Sequence, residues 1–195
     1  MARGVKVFLF SFFMVFVGAT AAFAIPVFNP FNNHYYEAIA GSYDWHEAST
    51  LSHNSIYLGI SGHLATITDV TENNWIWENL GHPTRYLLGA TDEDLEGTWK
   101  WETGEPFAYT NWNIGEPNDG FGNYPEDALS FWDNSRWNDL PNVGDFWGDH
   151  IPYVYGYVAE WDAVPEPASL LLVSFGLTGI AALRRRTSFV NSIPS

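Results

Sequence analysis

An α+β domain is the fold class this sequence predicts, on three observations. Two helix-capping signals fall close together in the first half, each followed by a stretch long enough for a short helix. The second half holds only short alternating segments, set around a long run rich in Gly, Pro, Asn and acidic residues that ends at Pro125. Aromatic residues make up 17% of the chain, ten of them Trp, so a core of large rings is expected, and no internal repeat is visible.

Taken in order, His34 to Ile39 alternates as a strand does. Asp44-Trp45-His46-Glu47 then has the spacing of a capping box, with Glu47 at the third helical position, and predicts a helix over about 45–55. Gly59 and Gly62 break that pattern, and His63 to Ile67 is a short apolar strand candidate. His63 has no second histidine at metal-ligand spacing, which favours an ordinary hydrogen-bonded ring. Asp69-Val70-Thr71-Glu72 repeats the capping signal and predicts a second helix over about 71–80, stopped by Gly81. Arg85 to Ala90 reads as a strand. Beyond the long loop, further short strands are expected at Asp127–Trp132, Arg136–Asn138 and Tyr153–Trp161. A loop of that length inside a compact domain is usually functional.

Both ends carry processing signals. Arg3 and Lys6 precede an apolar run from Val7 to Val17, and small residues follow up to Ala24, the order of a secretory signal cleaved after residue 24. Near the other end, Val164-Pro165-Glu166-Pro167 opens an apolar stretch from Ala168 to Leu183 that Arg184-Arg185-Arg186 closes. The basic cluster belongs on the cytoplasmic side. That arrangement resembles the PEP-CTERM sorting signal of Gram-negative bacteria, which implies an exosortase-type membrane protease as processing partner and only transient membrane contact. A plain C-terminal anchor is the alternative, and it leaves the domain on the same outer side. The expected division is a signal peptide at 1–24, a folded domain at 25–163, a sorting segment at 164–186 and a cytoplasmic tail at 187–195.

Five of the eight basic residues lie in those ends, so the segment 25–163 holds only Arg85, Lys100 and Arg136 against 22 acidic residues, a formal charge of −19. Nucleic acid is thereby an improbable partner. The absence of cysteine excludes a disulfide framework, a thiolate metal site and a thiol nucleophile. Three acidic clusters stand out: Asp92-Glu93-Asp94-Leu95-Glu96, then Glu116-Pro117-Asn118-Asp119, then Glu126-Asp127 with Asn138-Asp139 behind them. All their ligand-type atoms are hard oxygens. Carboxylates and amides converging from separate loops suit calcium better than magnesium or zinc. Spacing alone leaves a solvated acidic loop open as the other reading.

Order and context add to this, because from about His34 to Trp161 the chain resembles the C-type lectin family. The resemblance rests on WHEA at 45–48, GHLATI at 62–67, ENNWIW at 72–77, LGATDEDLEGTW at 88–99, TNW at 110–112, EPND at 116–119, ED at 126–127, WND at 137–139 and YVAEW at 157–161. It implies a C-type lectin-like fold with two helices, short antiparallel sheets and a long calcium-binding loop region. By the same resemblance, Glu116, Asn118, Glu126, Asn138 and Asp139 would hold the principal Ca2+, with a cis peptide before Pro117. Two sugar hydroxyls would complete its shell, Glu116 and Glu126 accepting and Asn118 and Asn138 donating, with mannose- or glucose-type stereochemistry favoured. A second ion is implied at Asp92, Glu96, Asp119 and Asp127, while Glu93 and Asp94 face solvent.

The resemblance further places Trp75, Trp77, Trp112 and Trp137 in the core. Trp132 and the insertion from Leu140 to Pro152, with Phe146 and Trp147, lack a family counterpart and are candidates for a wall beside the sugar. Where the family has cysteines this chain has Ser52, Ala128, about Asn142 and Ala159, so bound calcium is expected to carry more of the stability. The expected partner is a glycan or exopolysaccharide. Two other readings remain: a calcium-stabilised protein-binding or structural adhesion module, and a glycosidase using Glu116 and Glu126. The second lacks any Ser, Cys or His nucleophile arrangement, and one cation-binding cluster explains the acids more simply.

Overall fold

The computed structural model describes residues 25–120, 124–142, 145–146, 151–152 and 154–162. The signal, sorting and tail segments expected at the two ends, and Trp147 of the insertion, lie outside the described residues. Among the described residues no helix is long and apolar enough to cross a membrane.

Both helices begin where their caps are. The carboxylate of Asp44 accepts the Glu47 N–H at 2.7 Å and starts α1 (Trp45–Asn54). The carboxylate of Asp69 accepts the N–H groups of Thr71 and Glu72 and starts α2 (Val70–Asn79), after which Gly81 takes a positive φ. Glu72, expected to close a capping box, reaches one residue further back and accepts the Thr68 N–H at 2.8 Å.

The strands are β1 (Val27–Phe28), β2 (Tyr35–Ala40), β3 (Ile56–Tyr57), β4 (Ile60–Ser61), β5 (His63–Leu64), β6 (Tyr86–Thr91), β7 (Lys100–Trp101), β8 (Ala128–Phe131), β9 (Trp137–Leu140), β10 (Asp145–Phe146), β11 (Ile151–Pro152) and β12 (Gly156–Trp161). Eight of them form one sheet with the path β1-β2-β12-β6-β8-β9, with β5 added beside β12 and β7 beside β6. The sheet is mixed, because β12 runs parallel to β6 where short antiparallel sheets were expected. Three strand predictions shift: the segment from His63 pairs only through Leu64, β9 runs on to Leu140, and β12 starts at Gly156. Periodicity does not reveal β1, β7 or the β3–β4 hairpin. That hairpin turns on Leu58 and Gly59, both at positive φ.

The core has two parts. One is built around Trp137, fully buried, with Trp101, Phe107, Tyr109 and Trp112 at ring-centroid distances of 5.4–6.1 Å. Its indole N–H donates to the Asn73 side chain at 2.7 Å, which docks α2 on β9. The other part packs Trp45, Leu64, Leu140 and Trp161, with the Trp45 indole N–H donating to the Leu88 carbonyl at 2.9 Å. Trp75, Trp77, Trp112 and Trp137 all pack in the first part, as the resemblance implies. Ser52, Ala128 and Ala159, at expected cysteine positions, are fully buried.

Candidate cation and ligand site in the acidic loops

β8 and β9 pair with Leu129 opposite Asp139 and Ser130 opposite Asn138, which brings Glu126, just before β8, close to the end of β9. The long loop folds back onto this pair. Oδ2 of Asp139 accepts the backbone N–H groups of Asn118 at 2.9 Å and Asp119 at 2.8 Å. Glu126 accepts the Gly120 N–H at 2.7 Å, and its own N–H donates to the Asp119 carboxylate at 2.9 Å. The Asn118 amide donates to the Glu116 carboxylate, and the Glu116–Pro117 bond is cis. Glu116, Asn118, Glu126 and Asp139 are thus drawn together. Asn138 lies next to them in β9, its Nδ2 donating to the Asp139 carbonyl at 2.6 Å, which leaves Oδ1 as its ligand-type atom.

A second cluster forms beside the first. Asp92, at the end of β6, is fixed by the Gly97 N–H at 2.8 Å, and carboxylate oxygens of Asp92, Glu96 and Asp127 lie within 4.8 Å of one another. Asp119 joins these electrostatically while its side chain holds the Glu126 backbone. Glu93 and Asp94 point outward, paired with His46 at 2.9 Å and Lys100 at 3.2 Å. Trp132 is half-buried and carries the Arg85 guanidinium over its ring at 5.0 Å.

The donor set fits a hard divalent cation, on two grounds. Among the described residues, Oδ1 of Asp139 and Oδ1 of Asp92 are buried with no hydrogen-bond partner, an arrangement that costs free energy unless something positive faces them. The carboxylates also oppose one another's charge. Glu116 is pushed up to about 7 by burial and by the neighbouring carboxylates of Asp139 and Glu126. Glu126 is pushed up to about 7 by burial, which the Gly120 N–H opposes, and by the charges of Asp139 and Asp119. Burial and neighbouring carboxylates likewise raise Asp92, Glu96 and Asp127. An ion of charge +2 relieves both defects, and oxygen ligands from separate loops give the irregular shell that calcium accepts.

The chain belongs to the C-type lectin domain family: the family model described as "Lectin C-type domain" matches residues 41–142. Residues 163–186 match the PEP-CTERM protein-sorting motif, which indicates exosortase processing and export to the cell surface. Members of this family are generally binding modules rather than enzymes, and typically bind Ca2+. Halomucin of Haloquadratum walsbyi is 32% identical over 124 residues, 56% of this chain and 1% of that protein. A perlucin-like protein of Mytilus galloprovincialis is 33% identical over 104 residues, 50% of this chain and 62% of that one. The chain therefore spans less than two thirds of either relative. Among solved structures, the cow C-type carbohydrate-recognition domain of CD23, determined in the presence of GlcNAc2Man3 oligosaccharide, superposes with TM-score 0.55 at 25% identity, covering 68% of this chain and 90% of that one. The mouse Scavenger Receptor C-type Lectin carbohydrate-recognition domain shares the fold, with TM-score 0.58 at 24% identity, covering 72% and 99%.

Proposed function

We propose that the protein is an exported carbohydrate-binding module that takes glycans with mannose- or glucose-type hydroxyls in a calcium-dependent way, on the outside of a Gram-negative bacterium. The observation that carries this reading is the convergence of Glu116, Asn118, Glu126 and Asp139, with Asn138 adjoining, while the second Asp139 oxygen is buried with no hydrogen-bond partner among the described residues. These five residues would hold Ca2+, which supplies a Lewis-acid centre for two neighbouring sugar hydroxyls. Glu116 and Glu126 would accept hydrogen bonds from the sugar hydroxyls, and the amides of Asn118 and Asn138 would donate to the hydroxyl oxygens. With acid and amide on fixed sides, hydroxyl stereochemistry is selected. Asp92, Glu96, Asp119 and Asp127 would hold a second Ca2+ that braces the loop. Single sites of this kind bind weakly, so many copies on a surface supply avidity.

The sorting motif adds the setting: removal of segments 1–24 and 164–195 would release a domain of strongly negative charge, and the producer's own exopolysaccharide is the natural first ligand to test. Glycan-array binding in calcium and in chelator decides the matter. Calcium-dependent capture of mannose- or glucose-type glycans, lost in Asn138→Ala and Glu116→Ala, is the expected result. Calcium uptake without any glycan capture would assign the domain instead to a calcium-stabilised adhesion role. Capture untouched by both substitutions would overturn the site.

A further inference from the structure

Away from the acidic loops, strand pairing gathers four ligand-type side chains that the sequence keeps far apart. β2 and β12 pair with Tyr35 opposite Trp161 and Tyr36 opposite Glu160, so His34 and Asp162 meet one step beyond the ladder. On the other side of β12, His63 of β5 lies opposite Glu160. Strand side chains alternate between faces, so His34, His63, Glu160 and Asp162 share one face of three neighbouring strands. The His34 Nδ1 lies 2.5 Å from Glu160 Oε1 and 3.9 Å from Asp162 Oδ1, and the His63 Nε2 lies 3.2 Å from that same Asp162 oxygen.

Hydrogen-bond roles at His63 point to a cation. Its Nδ1 lies 2.8 Å from the Leu64 carbonyl, which only accepts, so Nδ1 carries the ring hydrogen. Nε2 is then the bare nitrogen of the neutral ring, yet it faces a carboxylate oxygen. Two lone pairs so placed repel unless a positive centre lies between them, either a second ring proton or a metal ion. His34 Nδ1 faces Glu160 Oε1, which already accepts the Tyr36 hydroxyl at 2.8 Å, and meets it either as a ring N–H or through an ion. The Thr66 N–H holds the other Glu160 oxygen at 2.8 Å, so this carboxylate is set in place before any ion arrives. Ligand atoms around a tetrahedral zinc ion stand about 3.3 Å apart, which follows from metal–ligand bonds of about 2.0–2.1 Å. The three separations bracket that value. One ligand atom each from His34, Glu160 and Asp162 already lies within 4.8 Å of the others, and His63 Nε2 joins them through Asp162.

We propose that His34, His63, Glu160 and Asp162 form a binding site for a zinc-class divalent transition ion, distinct in residues and donor chemistry from the oxygen-only acidic loops. Two imidazoles with two carboxylates suit such an ion, whereas oxygen-only sets suit calcium. Glu160 anchors the site from inside, and Asp162, 62% exposed, opens it to solvent. The bound ion ties the start of β2 to the end of β12 in a chain that has no cysteine to do so.

The test uses the untagged full-length chain in detergent, saturated with calcium and titrated with Co2+. Expected are one equivalent of tightly held cobalt, the visible ligand-field bands of a low-coordinate nitrogen and oxygen shell, and displacement by Zn2+. His34→Gln and Asp162→Asn, both at partly exposed positions, should each weaken uptake roughly tenfold or more. A thermal melt identifies any variant that has lost its fold, and Asp162→Asn, the most exposed of the four, is the one expected to keep it. No cobalt uptake in the calcium-saturated protein would mean that the histidines are simple ion-pair partners, and the proposal fails. Uptake by folded Asp162→Asn and His34→Gln equal to the parent's would place the metal elsewhere and overturn it equally.

Discussion

Glu72 and Glu160 lie as deep in the molecule as Asp92 and Asp139, yet the two pairs meet burial differently. Glu72 accepts from the Tyr36 hydroxyl at 2.6 Å, the Asn32 amide at 3.0 Å and the Thr68 N–H at 2.8 Å. Glu160 accepts from Tyr36, Thr66 and His34. The one Tyr36 hydroxyl proton lies between the two carboxylates, and Asn32, Thr68, His34 and Thr66 give each of the four oxygens a partner of its own. In the acidic cluster, one oxygen of Asp92, just past β6, and one of Asp139, in β9, have none among the described residues, and Glu116 and Glu126 crowd the same space. The difference lies in how many neighbouring N–H and O–H groups reach each acid, not in the element that carries it, since Asp139 stands in β9. Where both oxygens are reached, the chain itself answers the buried charge; where one is left over, as at Asp92 and Asp139, a cation has a place to fill.

The sharpest way to break this comparison is to remove calcium. With each of two sites saturated about a hundredfold above Kd, the ions together stabilise the fold by about 5 kcal/mol. At a few degrees per kcal/mol, chelation should lower the melting midpoint by roughly 10 °C or more. Equal midpoints with calcium and with chelator would show that the loops need no ion. A somewhat smaller loss is expected from Glu160→Leu, which strands the buried Thr66 N–H and removes the carboxylate facing the His34 ring, while the Tyr36 hydroxyl keeps Glu72: about 3 kcal/mol in denaturant melts. Its signature is independence from calcium in the loops, so the loss should be the same with and without it. A loss that disappears in calcium would join the two carboxylate groups into one system.

Titration separates them further. Glu116 and Glu126 each titrate near 7 in the folded, ion-free chain, against an ordinary value of 4.5. The folded state therefore holds more protons than the unfolded one between those values. Their contribution to ion-free stability is full below about 4.5 and is lost as pH rises through 7. Calcium replaces those protons and acts in the opposite sense. The calcium-induced rise in melting midpoint should accordingly be larger at pH 8 than at pH 5.5. A rise independent of pH would mean that these two carboxylates do not hold the ion.

What could be read from the sequence follows the same division between local and assembled features. The caps at Asp44 and Asp69 are local patterns, and both helices start where those residues stand. The strand carrying Tyr157 to Trp161 alternates visibly, and the ring-rich segments announce the core. Lys100–Trp101 pairs with β6 only because the chain turns back there, so two residues give no period to detect. The acids of the loops were legible as types and order, because Glu116 and Asn118 are neighbours in sequence. Their meeting with Asp139 depends on β9 extending to Leu140, beyond the strand that alternation suggested. His34 and His63 show the limit most clearly. No spacing rule links residues 34, 63, 160 and 162, and only the register of β2, β12 and β5 puts them on one face.

The smallest effect on stability should come from Gly120, and it isolates what the loop geometry does for ligand capture. The Gly120 N–H donates to Glu126, and a methyl group added at its Cα would overlap the Asn118 side-chain oxygen. That atom ends a short, exposed side chain, so it can swing away at little cost to the fold. Gly120→Ala should therefore leave the melting midpoint in chelator, where no ion depends on Asn118, within a degree or two, since exposed substitutions of this kind usually shift stability by about 0.5 kcal/mol or less. Glycan capture is another matter, because Asn118 is the proposed donor to a sugar hydroxyl and has to stay beside Glu116. Losing a hydrogen-bond donor to a bound hydroxyl weakens binding by about 1 kcal/mol, roughly fivefold. Calorimetry with a mannose-type glycan measures that loss directly. Unchanged affinity together with an unchanged midpoint would show that Asn118 does not touch the sugar, and the loop acids would then serve the ion alone.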